Sequence, residues 1–397
     1  MESKTVSILE YLFVFAALTS ILASFSVYHF SGLGTITLLS LILSFIVCKR
    51  SVIMAANKKE VVIFLSGWII VYLIGIVFNF SLPSILALRN LIVGCLFLCL
   101  NREIQKKIIS KFLWALAIIL LLSIIEYLIF QFFGKGIIIG RVTRVTDYRE
   151  TNFYNLIFNI VRSNRLLPRF QSLANEPGLL GTLCGFLIFF TWKVKSMRFP
   201  FFVFIISGIL SFSLAYYIFL AIFLFVNFRF KARNIFIMLC LSFVLYQSMK
   251  DYVENLLLSR VADAEDVEDL DNRTSDTFNL YFNRAFEKGQ LWFGVGVGNM
   301  PKQINNDGGN AGAKKWIYQY GIISFIVIFF TYNNLYRKRK CTRLNYYDII
   351  FLAVFWLSFY QRASLTALYM LLVFLAMPRL NDFEMVNIKK NENNTSD

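Results

Sequence analysis

Apolar residues fall in long blocks along this chain, separated by short connections rich in lysine and arginine. The blocks predict helices near 8–29, 32–48, 61–80, 84–100, 112–132, 178–192, 199–212, 214–228, 234–250, 313–333, 348–360 and 364–378. A membrane helix needs roughly 20 residues to cross about 30 Å of hydrocarbon, and most of these blocks approach that length. The expected fold is therefore all-α and polytopic, with about twelve spans in a single transmembrane domain over 1–384. Two polar connections, 133–177 and 251–312, are too long for simple turns, and residues 385–397 form a polar tail read as disordered. The first apolar run lacks a small-residue cleavage site after Lys4, so it reads as a retained span.

Composition sharpens this picture. Hydrophobic residues make up 57% of the 397 and charged residues only 16%, against about a quarter charged in a soluble domain. A net charge of +16 would suggest nucleic acid in a soluble chain, but here the basic residues collect between apolar blocks. That is positive-inside topology, with both termini cytoplasmic. The rule also decides whether 199–228 is one helix or two. Only two helices, bent around Ser211, Phe212 and Ser213, keep the 229–233 and 337–343 basic clusters on the inner side. None of the six cysteines lies in a long loop, so no structural disulfide is expected there. The sole histidine, His29, reads as an interfacial side chain and rules out a histidine metal cluster.

The two long connections fall outside, and the first breaks the basic-inside pattern with Arg141, Arg144, Arg149, Arg162, Arg165 and Arg169. Phe153, Leu156, Ile157, Ile160 and Leu167 recur with helical period, predicting an amphipathic surface helix that ends before Pro168. Arg162 and Arg165 on its polar face could bind a diphosphate or acidic sugar, or could face lipid headgroups as a solvated surface. Arg169 and Glu176 then meet at the mouth of the helix that Pro177 begins, where Glu176 could act as an acid or base or simply cap. Arg89 lies inside an apolar block, costly unless it snorkels or lines a polar cavity, and Arg362 in a short outer turn belongs to the same class.

In the second loop, the acidic run from Asp263 to Asp271 does not fit calcium-loop spacing and reads as solvated surface. Arg273 and Arg284 lie on an expected helix, 273–288. The glycines of Phe293-Gly294-Val295-Gly296-Val297-Gly298 lack the spacing of a nucleotide-binding turn and suggest tight packing of loop on helices.

In order and sidedness, these features resemble the bacterial O-antigen polymerase family, whose superfamily includes the O-antigen ligases. The resemblance rests on Arg169 through Gly178 before a helix, Arg273 followed by Phe293-Gly294-Val295-Gly296, and Lys315 through Ile323 at the next span. It implies an enzyme of the bacterial cytoplasmic (inner) membrane that joins undecaprenyl-diphosphate-linked oligosaccharide repeats on the outer leaflet. A flippase and a chain-length regulator would be its partners. Arg169, Glu176 and Arg273 are then the catalytic candidates, and Arg89, Arg162, Arg165, Arg284 and Arg362 the diphosphate or glycan contacts. Arginines can stabilise a departing diphosphate without a metal, so no cofactor is expected. Ligase-branch members carry a histidine near 299–315, which this chain lacks. Ligase-type transfer is thereby disfavoured; a transporter is the alternative of another class, although no internal repeat is evident.

Overall fold

The computed structural model describes residues 2–23, 26–29, 32–47, 58–80, 85–134, 136–146, 149–162, 169–192, 194–227, 276–299, 312–340, 343–362, 365 and 367–377. Among these the chain is mostly helical: α1 (Glu2–Thr19), α2 (Leu33–Val47), α3 (Lys58–Asn79), α4 (Ile85–Cys99) and α5 (Arg102–Phe133) precede a small sheet. After it come α6 (Pro177–Thr191), α7 (Arg198–Leu210), α8 (Leu214–Asn227), α9 (Asp276–Glu287), α10 (Gly312–Tyr320), α11 (Ile322–Arg339), α12 (Tyr346–Gln361) and α13 (Leu368–Met377). The expected span at 234–250, the acidic run at 263–271 and the tail at 385–397 lie outside the described residues.

Helices α3 and α5 are long and apolar enough to cross a membrane, and several shorter apolar helices accompany them. Along α3, Val62, Leu65, Ile69, Ile70, Leu73, Ile76 and Val77 are exposed at helical spacing, forming an apolar stripe on the outside of the bundle. Water-facing surfaces rarely carry so large an apolar patch. This fits a membrane protein.

Helix α5 begins ten residues before the apolar block that predicts it. Asn101 caps it by accepting from the Ile104 N–H, Glu103 sits in its first turn, and Gly134 closes it at φ 61°. No proline or glycine interrupts it, so its 32 residues extend about 48 Å. Helix α1, by contrast, ends at Thr19 rather than running on to His29. The Thr19 and Ser20 hydroxyls donate to carbonyls one turn back, and Leu22 then pairs in extended form with Ala174. The predicted break at Ser211–Ser213 is present between α7 and α8, with Phe212 at φ 46°. The 313–333 block divides at Gly321 into α10 and α11.

The first long connection departs most from expectation. The described residues of 140–162 build no helix but an antiparallel sheet of β1 (Gly140–Thr146), β2 (Arg149–Asn155) and β3 (Ile160–Arg162). Valines and threonines in β1 and Phe153 and Tyr154 in β2 favour the pleated form, and Arg141 lies over the Tyr154 ring beside it. The apolar residues that mimic helical period instead bracket a turn. Leu156 N–H donates to Asn159 O, and the Glu126 carboxylate of α5 accepts the Ile157 and Phe158 N–H groups at 2.8 Å each. Asn159, which also accepts the Ile160 N–H on its side chain, and a carboxylate from another helix thus override the periodic signal.

Candidate functional site

Polar contacts sort the helix termini into two ends of the bundle. At one, Arg339 at the end of α11 reaches Glu60 at the start of α3 (2.5 Å) and Gln105 at the start of α5 (2.7 Å). Gln105 in turn donates to Phe97 O and Leu100 O at the end of α4. Beside them Lys340 pairs with Asp348 at the start of α12, and Tyr336 donates to the same carboxylate. Asp348 also forms a capping box with Asn345. Arg339, Lys340 and Asp348 are all buried.

The opposite end holds the start of α6, the end of α12, the end of α3 and the α10–α11 corner. Helix α6 is the central helix and almost wholly buried, so whatever its first residue carries is firmly positioned. Glu176 occupies the N-cap position but does not cap with its side chain. Its carboxylate instead accepts from the Arg362 guanidinium at 2.5 Å, with the two side chains 43% and 24% exposed. Of the two roles open to Glu176, capping and catalysis, the side chain does not take the first.

Two glycines make room for this pair. A Cβ on Gly178 would lie 2.6 Å from Arg362 Nη2, and one on Gly312 would lie 2.6 Å from the Arg362 backbone N. Residues 176–178, 312 and 362 therefore converge from three distant parts of the chain. Below them a narrow crevice is lined by Leu179, Thr182, Leu183, Ser358, Arg362, Tyr369 and Met370. Neither glycine was singled out by the sequence for this purpose; Pro177-Gly178 read as a helix start.

Arg169 has a different occupation. Its Nε donates to Ser211 O (3.0 Å) and its Nη2 to Phe212 O (2.7 Å), so the guanidinium grips the α7–α8 corner. The segment it begins is a junction: Phe170 N–H donates to Leu210 O, Ser172 O accepts from Ile160 and Leu173 O accepts from Ala23. Arg169 thus ties the segment leading into Glu176 to the α7–α8 corner. Arg89 stands near the start of α4, its Nε donating to Asn90, with its guanidinium in space left by Gly34 of α2. Arg162 is half-buried in β3 opposite Phe153, and Arg284 is exposed on α9. Arg165 and Arg273 lie outside the described residues, as does the end of the helix expected before Pro168.

The glycine run packs as expected. Phe293 stacks on Phe78 at 3.9 Å, and its carbonyl accepts from Asn79 at the end of α3. Val295 and Gly296 N–H groups donate to Tyr318 O and Gln319 O. Gly294 and Gly321, at φ 82° and 90°, lie so close that a Cβ on either would strike the other's backbone.

The chain matches no family model, no curated protein and no solved structure.

Proposed function

We propose that the protein is a polysaccharide polymerase of the bacterial cytoplasmic membrane, crossing it about twelve times with both termini inside. It transfers a growing glycan from its undecaprenyl diphosphate to the next lipid-linked repeat. The observation that carries this reading is the Glu176–Arg362 pair, part-exposed and held by three converging segments at one end of the bundle. Arg362 can turn its paired donors from Glu176 to the departing diphosphate, where a guanidinium is better matched than an ammonium. Glu176, released from the pair, can take the proton of the acceptor hydroxyl. Arg89, Arg162, Arg165 and Arg284 are proposed glycan or phosphate contacts, Arg273 a further catalytic group, and Arg169 a positioning residue. A flippase supplying the lipid-linked repeats and a chain-length regulator are the proposed partners. The proposed step uses no metal.

The sidedness of the bundle supports this reading. The inner clusters expected from the charge pattern, at 58–59, 102–111 and 337–343, coincide with the end where Glu60, Gln105 and Arg339 meet. The proposed site is at the other. Reconstituted protein supplied with defined lipid-linked repeats is expected to yield longer glycans on one lipid anchor. Movement of intact repeats across the bilayer without new glycosidic bonds would make it a transporter instead, and transfer to a different acceptor would make it a ligase.

A further inference from the structure

We infer that the turn following α9 is a foot resting in the headgroup boundary of the bilayer, with Phe286, Trp292 and Phe80 entering the lipid and Lys288 meeting its phosphates. This rests on the reading of the bundle as membrane-embedded. Helix α9 buries one face through Phe278 and Ala285 against Leu291 and Tyr318. Its last turn and the residues after it stay outside that small core: Phe286 is 67% exposed and Trp292 55%. The chain between them is tightly wound, with Gly289 N–H donating to Phe286 O and Gly294 N–H to Gln290 O. The two aromatics therefore belong to one surface.

The depth of that surface is fixed by α3. Phe293, next to Trp292, stacks on Phe78 and accepts from Asn79, so the turn sits level with the end of this apolar helix. The exposed Phe78 at the end of the α3 stripe thus meets the turn through Phe293, the neighbour of Trp292. Phe80 gives an independent indication. It ends α3 at φ 49°, a conformation that favours glycine, and its ring is 93% exposed. So exposed a phenylalanine suits a lipid boundary. Arg284 on that last turn and Lys288 just after it are exposed beside Glu287, leaving a net positive charge that matches anionic headgroups, and tryptophan favours that interface. Because the turn is joined to the end of α3, whose exposed apolar stripe would face lipid, the same lipid is its occupant rather than a second copy or a water-soluble partner.

The test uses the full chain in bilayers of phosphatidylethanolamine and phosphatidylglycerol, with acyl chains brominated or not. The Trp292 signal is taken as the difference between wild type and W292F, and L73W reports the exposed middle of α3. Both signals are expected to be strongly quenched by brominated chains, and the Trp292 signal to be shielded from acrylamide in water. Quenching of L73W with an unquenched, acrylamide-accessible Trp292 overturns the foot and leaves the membrane reading standing. Shielding of Trp292 from both quenchers would mean a protein surface covers it, and also overturns the inference. An unquenched L73W overturns the membrane reading and the foot with it.

Discussion

Both ends of the helix bundle carry charge, but they hold it differently. At one end, Arg339, Lys340 and Asp348 are buried, and Glu60 and Gln105 complete a closed network across five helices. At the other end, Glu176 and Arg362 pair while both keep contact with solvent. A buried charge pair shut away from solvent holds helices together. A part-exposed pair costs little to open, and so can exchange its partner for a ligand. The comparison separates residues locked inside the bundle from a pair that reaches its surface.

The largest effect expected is at the closed end. Arg339→Ala leaves Glu60 and Gln105 without their buried partner, and removal of one member of such a network typically destabilises by about 3–5 kcal/mol. Thermal unfolding in detergent, followed by size exclusion, should show a large fall in midpoint or loss of the folded peak. Asp348→Ala is expected to behave similarly, because it removes the carboxylate that Lys340 and Tyr336 share and half of the α12 capping box. Wild-type unfolding of both variants would mean that the network carries no structural weight and would erase the contrast between the ends.

Arg362→Ala should do the reverse. Losing a part-exposed ion pair costs about 0–1 kcal/mol, so the folded peak survives. Polymer formation should fall by about a hundredfold, the usual scale for removing a charged donor from a transition state. The exchange E176R/R362E sharpens this: it can restore the pair and the unfolding midpoint but should leave polymerisation lost. Recovery of glycan length in the exchanged protein would show that the pair is only a clamp.

Much of the helical frame was legible because its signals are local. The apolar blocks mark α3, α5 and α6, and the serine-rich break at 211–213 was visible once the basic clusters demanded an extra crossing. The glycines of 294–298 were read as a packing element, and they pack against the α10–α11 corner. What stayed hidden depends on partners distant in the chain. The turn at 156–159 exists because Glu126 of α5 takes its backbone N–H groups, which no local periodicity reveals. Arg169 looked poised for chemistry beside Glu176, yet its donors are engaged by carbonyls some forty residues later. Glu176 and Arg362 were both candidates, but their pairing spans 186 residues and could not be read from spacing.

A gentler way to disturb the open end is through the space around its arginines. Gly178→Ala places a methyl group where Arg362 Nη2 lies, and the guanidinium, as the end of a flexible side chain, can swing aside. The expected outcome is a folded protein with glycan output lowered by about tenfold, since a displacement near 1 Å at a reacting group can cost up to about a hundredfold. Gly34→Ala makes the same test of Arg89, whose guanidinium fills the space beside α2. If polymer length and rate are unchanged in G178A, Arg362 does not need its present position, and the site must be sought elsewhere.

The smallest effect is expected at His29. As the only histidine, it is the sole side chain of that type able to act as a base. It lies on an exposed turn after α1, where its backbone N–H donates to Ser26 O. The neighbouring anchor is Tyr28, whose hydroxyl donates to Ile157 O in the turn before β3. That contact ties the region to the sheet rather than to the Glu176–Arg362 pair. His29→Ala should therefore retain near-normal polymerisation, and chelation by EDTA should leave elongation of lipid-linked repeats intact in the reconstituted protein. A loss of activity in H29A at normal folding would bring a histidine base into the mechanism and move it toward ligase-type transfer. A loss on chelation, restored by a divalent cation while the fold persists, would instead replace the arginine-only account of leaving-group stabilisation. Either result would shift the chemistry away from the open end, and only survival of both treatments keeps Glu176 and Arg362 at its centre.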